Sequence, residues 1–317
     1  MAIELEFEKP ILELERKIEE LEKFTQREEI DLSDELSTLT ERLEHLRKDV
    51  FENLSSWQKV QLARHPDRPY TMDYIGMIMD DFIEIHGDRH FGDDKAIVAG
   101  LARMNGQKLM VIGHQKGRDT NENLERNFGC AHPEGYRKAI RVMRMAEKFN
   151  IPIVTFIDTP GAYPGVGAEE RGQAEAIAYN LREMAGIKVP IVVFVIGEGG
   201  SGGALGIGLG DRVFVLENAY YSVISPEGCA AILWKDRTKA SSAATALKIT
   251  APELMELRVI DGMIPEPVGG AHRDSEKTAK EIKKALKKSL DALSKRTQGE
   301  LLEARYKKYR EIGAYKD

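Results

Sequence analysis

Residues 197–210 hold eight glycines in fourteen positions. Glycine costs backbone entropy, so this density marks tight turns or backbone that approaches a ligand. The segment opens Gly197-Glu198-Gly199-Gly200-Ser201-Gly202-Gly203-Ala204, and three chemistries fit it. Gly197, Gly199 and Gly202 satisfy the dinucleotide fingerprint G-x-G-x-x-G after an apolar run, with Glu217 about twenty residues on. Only Gly203–Gly210 is left for a crossover helix, however, and that stretch carries four glycines. The pattern G-x-S-x-G makes Ser201 a nucleophile, with Asp261 and His272 following in hydrolase order. His272 is the only histidine after Ser201. The third chemistry needs no side chain. Consecutive amides of a strand-to-helix turn, those of Gly202 and Gly203, can hold a developing oxyanion. Against all three stands the plain packing turn, in which Ser201 is merely small.

A second loop, Asp158-Thr159-Pro160-Gly161-Ala162-Tyr163-Pro164-Gly165, combines an acid with prolines that stiffen it and glycines that let it turn. A third, Gly113-His114-Gln115-Lys116-Gly117-Arg118, brings cations. Two cysteines, Cys130 and Cys229, are too few for a disulfide framework or a four-cysteine zinc site. The phosphate-loop pattern G-x-x-x-x-G-K-[ST] is absent from the sequence.

The elements that must position these loops read as α/β. Ala96–Met104 and Lys108–Gly113 flank Asn105-Gly106, a strong hairpin signal. A helix is predicted from about Pro133 to Phe149, with Tyr136, Ile140 and Met143 on one face. Ile151–Ile157 reads as a buried strand, Glu169–Ala185 as a helix, and Val189–Ile196 and Arg212–Leu216 as further strands. Alternation of this kind implies mainly parallel pairing, with chemistry beyond the strand ends. The two loops Asp158–Gly165 and Gly197–Ala204 should therefore lie side by side.

Charge is uneven along the 317 residues. Residues 1–55 carry 17 acidic and 8 basic side chains, and residues 273–317 carry 14 basic and 8 acidic. Ile11, Leu14, Ile18 and Leu21, then Leu32, Leu36, Leu39, Leu43, Leu46 and Val50, follow helical spacing, with Asp31-Leu32-Ser33-Asp34 as a break and new cap. A helical hairpin is expected there. A C-terminal helix is expected with Ile282, Leu286, Leu290 and Leu293 on one face. The net charge of −6 argues against general nucleic-acid binding. No run approaches the ~18–20 apolar residues of a membrane span. The acidic start, Met1-Ala2-Ile3-Glu4, lacks the features of a signal peptide. A reducing cytoplasm is expected.

Longer motifs narrow the choice. Arg64-His65-Pro66-Asp67-Arg68-Pro69-Tyr70, Gly113–Arg118, Asp158–Gly167, Gly197–Ala204 and Ser225-Pro226-Glu227-Gly228 closely resemble the α subunits of bacterial acetyl-CoA carboxylase carboxyltransferase, from about residue 5 to the end. The resemblance implies an α/β, crotonase-like fold of the ClpP/crotonase superfamily, a spiral of ββα units with an N-terminal helical hairpin and a C-terminal helix. It divides the chain into an assembly arm (1–55), a carboxyltransferase domain (56–272) and a basic tail (273–317). It implies a biotin-dependent transferase of fatty acid biosynthesis, working as an α2β2 heterotetramer with a β subunit. Its other partners would be a biotin carboxyl carrier protein and a biotin carboxylase that uses the ATP. Carboxybiotin would release CO2 and a ureido anion. The anion would deprotonate acetyl-CoA, and the enolate would attack CO2 to give malonyl-CoA.

Carried over by motif, the amides of Gly202 and Gly203 would hold the biotin ureido oxygen, while the β subunit would hold the thioester oxygen. Gly161 and Gly165 are candidates for further amides. Lys116, Arg118 and Arg137 are candidates for CoA phosphates. His65 reads as structural, and Glu198 is placed to orient the glycine turn without a firmer role. The family's zinc ribbon belongs to the β subunit, so no metal is expected here. Two alternatives remain: a self-sufficient acyl-CoA hydratase or isomerase using Glu169, Glu170 or Glu198, and a serine hydrolase using Ser201. A non-catalytic scaffold with helical arms is a third class.

Overall fold

The computed structural model describes residues 5–28 and 31–313. The opening residues 1–4, read above for a signal peptide, lie outside the described residues, as do 29–30, just before the predicted helical break, and 314–317 of the basic tail. Among the described residues the strands are β1 (Asp80–Glu84), β2 (Ile97–Met104), β3 (Gln107–His114), β4 (Ile153–Thr159), β5 (Ile191–Gly200), β6 (Arg212–Leu216), β7 (Tyr220–Ser222) and β8 (Gly262–Ile264). They form one sheet in the order β1-β2-β3-β4-β5-β6-β8, with β7 also paired to β5.

The β2–β3 hairpin follows from its turn. Asn105 (φ 51°) and Gly106 (φ 79°) are both left-handed, the combination whose twist matches the flanking strands. Register then runs from Met104 opposite Gln107 to Ile97 opposite His114. From β3 to β4, β5, β6 and β8 the pairing is parallel. Both faces of β4 and β5 are covered, and every residue of the two strands is buried, which is why they read as near-continuous apolar runs. The Pro133–Lys148 helix opens on proline and buries Tyr136, Ile140 and Met143, as its periodicity predicts.

Two helical predictions need correction. The single helix expected over Glu169–Ala185 is two, Val166–Glu170 and Gln173–Gly186, because Gly172 between them adopts φ 82°. The single C-terminal helix is also two, Ser275–Leu293 and Gln298–Arg310. Thr297 restarts the second: its Oγ1 accepts from Glu300 N at 3.3 Å, and the Glu300 carboxylate accepts from Thr297 N at 2.8 Å. Ile282, Leu286, Leu290, Leu293 and Leu301 join the main core. At the other end, Lys9–Glu28 and Ser33–Glu52 form the hairpin, with a separate small core around Ile11, Ile18 and Leu43. The Asp31 carboxylate accepts from Ser33 N at 3.1 Å where the second helix begins.

The C-terminal helix is tied to the sheet by a buried ion pair. Arg305, 2% exposed, donates to both Asp211 oxygens at 2.9 and 2.8 Å and to the carbonyls of Met184, Ile187 and Val189. Asp211 also accepts from Ile191 N at the start of β5, at 2.7 Å. Removing one partner of such a pair leaves an uncompensated buried charge, which costs about 3–5 kcal/mol. Arg305→Met should therefore lower unfolding stability in urea by about that amount; a change under about 0.5 kcal/mol, the usual size for surface sites, would show that the pair does not hold the helix.

Candidate active site

Parallel pairing brings the ends of β3, β4 and β5 to one edge of the sheet, and each end delivers a charged residue. Lys116 Nζ, two residues past β3, donates to Asp158 Oδ1 on β4 at 2.7 Å and to Glu198 Oε1 on β5 at 2.9 Å. Glu198 Oε2 accepts from Arg64 Nε at 2.8 Å and from the Tyr220 hydroxyl at 2.7 Å. Arg64 Nη1 continues to Glu227 Oε1 at 2.5 Å. Asp158 Oδ1 also accepts from the backbone N–H of Glu198 at 2.9 Å.

Burial alone would raise the Glu198 carboxyl, but the Lys116 and Arg64 charges and the Tyr220 hydroxyl outweigh it and hold the pKa at about 2. Burial disfavours the Lys116 ammonium, yet the two carboxylates push its pKa above the ordinary lysine range. His114 is fully buried against the backbone of Phe156 and Gly203, and burial, with the Lys116 charge, pushes its pKa down to about 3. A Glu198 carboxyl held this low has no proton to donate and is a weak base, so it is poorly matched to the acid and base steps of a hydratase or isomerase. Glu169 and Glu170 lie exposed on the Val166–Glu170 helix.

Past Glu198 the chain makes the glycine turn. A Cβ on Gly200 would lie 2.2 Å from Pro160 O, and one on Gly203 would lie 2.5 Å from the Gly161 carbonyl carbon. The two loops are thus in backbone contact, as the parallel reading requires. A Cβ on Gly202 would only touch Ile177, at 3.5 Å. Ser201 between them is exposed and adopts φ 51°, an uncommon conformation for a residue with a side chain. The turn leads into the short Ser201–Leu205 helix, so its first amides have no partner within that helix. An apolar cavity of about 460 Å³ opens beside it, walled by Leu205, Leu209, Tyr221, Val223 and Leu254.

The other expected residues lie as follows. Gly161 N donates to Thr159 Oγ1 at 3.1 Å. Gly165 caps the Val166–Glu170 helix, and a Cβ there would strike the Tyr163 ring at 2.3 Å. Arg118 lies 4.0 Å over the Tyr70 ring and pairs with Asp73. Arg137 pairs with Asp88 at 2.8 Å. Lys116 alone of the three cations joins the glycine turn. The hydrolase partners are not assembled: Asp261 accepts from Arg212 and Lys308 and from Val213 N, while His272 stacks on His65 with 4.1 Å between centroids. Ser201 Oγ has no hydrogen-bonded base among the described residues.

Sequence reasoning did not connect Lys116, Asp158, Glu198, Arg64 and Tyr220 into one network. A signal existed. Asp158 and Glu198 are the charged residues that interrupt two apolar strands at their loop ends, and a buried charge requires a partner.

The shift on Glu198 has a sign. Its folded value, about 2, is below the ordinary 4.5, so its stabilisation is present above pH 4.5 and is lost as pH falls towards 2. Urea unfolding at pH 5 and pH 3 should show a steeper acid loss in the native chain than in Glu198→Gln. Equal slopes would mean that the carboxylate is not held down by its cations.

A family model described as acetyl co-enzyme A carboxylase carboxyltransferase-like matches residues 4–313. The chain is 60% identical over 315 residues to the acetyl-coenzyme A carboxylase carboxyl transferase subunit alpha of Halalkalibacterium halodurans, covering 99% of this chain and 97% of that one. It is 58% identical over 312 residues to the subunit of the same name from Geobacter metallireducens, covering 98% of each. Among solved structures, transcarboxylase 12S superposes with a TM-score of 0.59 at 20% identity, over 72% of this chain and 42% of that chain. A Pseudomonas malonate decarboxylase hetero-tetramer gives 0.56 at 15% identity, over 68% and 86%. These two bear on the fold, which is the expected crotonase-like α/β arrangement. With the family match and the near-complete identity to named relatives, the chain belongs to the acetyl-CoA carboxylase carboxyltransferase α-subunit family.

Proposed function

We propose that this chain supplies one half of a carboxyltransferase site, and that a β subunit supplies the other, in an α2β2 complex that converts acetyl-CoA to malonyl-CoA for fatty acid synthesis. The observation that carries the reading is the Gly200–Gly203 turn, packed too closely on Gly161–Ala162 for a side chain at Gly203 and without an assembled nucleophile and base. Such a site acts through backbone donors. Carboxybiotin, borne by a separate carrier protein, supplies the carboxyl group and a ureido oxygen that becomes negative as the group leaves. The N–H groups of Gly202 and Gly203 donate to that oxygen. They are fixed before the charge develops, so no reorganisation is needed when it does. The apolar wall of the cavity beside the turn lowers the local dielectric and strengthens these hydrogen bonds.

Among the three cations expected at CoA phosphates, we retain Arg118, whose side chain is 42% exposed. Gly161 has already given its N–H to Thr159, so its part is to let the loop close on the turn. Gly165 does the same for the Tyr163 ring. No residue of this chain is assigned a metal, and ATP use falls to a separate biotin carboxylase. The setting is cytoplasmic. The N-terminal hairpin, with its own small core, serves as an assembly arm, the α/β region as the carboxyltransferase domain and the basic C-terminal helices as its brace.

The assay is malonyl-CoA-dependent carboxylation of biocytin by the chain alone and mixed with a candidate β subunit. Activity is expected only in the mixture; activity in the chain alone would place both oxyanion sites here. A bulky residue at Gly203 would drive into the Gly161–Ala162 backbone, so it tests folding more than chemistry. An amide-to-ester exchange at Gly203, made by semisynthesis, removes the donor without adding a Cβ. It should cost about 100- to 1,000-fold in kcat, whereas Ser201→Ala should stay within a few-fold. The reverse order would restore the hydrolase. Deleting residues 1–53 should weaken complex formation, read by ultracentrifugation at low concentration, before it alters turnover. A complete complex from the truncated chain would remove the assembly role.

A further inference from the structure

The β4–β5 ladder fails just before the glycine turn. Its register runs from Ile153 opposite Ile191 to Ile157 opposite Val195, and then jumps so that Thr159 faces Gly199. Ile196, Gly197 and Glu198 on β5 therefore stand against the single residue Asp158. Regular backbone pairing is interrupted at the point where the spacing of the two loops is decided, and side chains take its place. The Asp158 carboxylate accepts from Glu198 N and lies so close that a Cβ on Gly197 would be 2.6 Å from Oδ1. Lys116, arriving from beyond β3, then joins the two carboxylates.

We propose that Lys116 is a positioning residue of the carboxyl transfer: by bridging Asp158 and Glu198 across the interrupted ladder, it sets the Asp158–Gly165 loop against the glycine turn and so aims the Gly202 and Gly203 amides. This rests on the oxyanion role proposed above for those amides.

Three features support it. Lys116 is the only ion-pair partner of Asp158 among the described residues, whereas Glu198 also has Arg64. Loss of the ammonium therefore unbalances the loop side of the contact. The lysine stem occupies a fitted slot. Gly129 (φ 79°) backs it, and a Cβ there would lie 3.0 Å from Lys116 Cγ and 3.1 Å from Asp158 O. The side chain is 13% exposed, and both carboxylates would have to be vacated for it to meet a phosphate outside. Misplacement of reacting groups by about 1 Å costs on the order of 100-fold in rate, so a device of this kind is read in kcat.

The experiment uses the complex reconstituted with the β subunit. Lys116→Met keeps the stem and removes the charge. It should lower kcat for biocytin carboxylation on the order of 10- to 100-fold, with KM for malonyl-CoA unchanged. Asp158→Asn should do the same, and the double variant should lose no more than the worse single one, because the two act as a unit. If Lys116→Met does not fold, Glu198→Gln carries the same expectation. A raised KM for malonyl-CoA that vanishes with the 3′-dephospho form would overturn the proposal in favour of a phosphate contact. An unchanged kcat in a folded variant, or losses that multiply in the double variant, would overturn it too. The Gly203 ester is run alongside. A fully active ester defeats the oxyanion reading whatever Lys116 does, whereas a dead ester with an active Lys116→Met defeats only the positioning role.

Discussion

The backbone of the glycine turn touches the backbone of a neighbouring loop, with no side chain between them, and much of the architecture serves that contact. A methyl group at Gly200 or Gly203 would meet Pro160 O or the Gly161 carbonyl carbon well inside van der Waals distance. Two loops approach this closely only if the strands carrying them are adjacent, parallel and in fixed register. The apolar sequences of β4 and β5 meet the first two needs by burying both faces. They do not meet the third, because a parallel ladder of similar apolar residues offers little to fix its last few positions.

Buried charges close that gap at more than one place. Arg68, 1% exposed, pairs with Glu266 at 2.8 Å and donates to Ile196 O at 3.0 Å, at the first residue of the interrupted register. Glu266 in turn accepts from the backbone N–H groups of Asn218 and Ala271. Arg305 does comparable work at the opposite end of β5 through Asp211. Desolvating such groups is costly and the net gain in stability is small. Their contribution here is geometric: each satisfies backbone groups that no strand or helix would reach. Lys116, Asp158 and Glu198 apply the same solution closest to the turn.

What could be read in advance follows from this division. Strong periodic signals were sound: the Asn105-Gly106 hairpin, the two buried strands and the apolar face of Pro133–Lys148 are local consequences of residue type. The helix predicted over Glu169–Ala185 failed at Gly172, since periodicity spans a single left-handed residue without registering it. The C-terminal helix failed at Thr297, whose cap was present in the sequence as a threonine three residues before a glutamate. β1, β7 and β8 escaped notice because two have three residues and the third is mostly exposed. At the site, the glycine spacing marked the turn, yet it equally suited a nucleotide loop and a nucleophile elbow. The partners of Lys116 are 42 and 82 positions away, and such pairings become visible only once the strand order is known.

The protonation states around the turn argue for the kind of chemistry it can perform. Glu198 is held at about 2 by its cations despite burial, and burial holds His114 at about 3. Burial raises Cys130 to about 11 and pushes Tyr220 above the ordinary tyrosine range. The pKa of Lys116 is shifted upward. None of these groups changes charge near neutral pH, so none is tuned for general acid–base catalysis, which works best with a pKa near the operating pH. What they provide instead is a fixed field and a fixed backbone. In the carboxyltransferase reading that is sufficient for one negative oxygen, because the proton passes between the two substrates and not through the protein. The acyl oxygen needs an equally rigid donor pair, and this reading assigns it to a second, similarly built surface. In that reading each of two subunits folds its own turn and meets the other across the substrates.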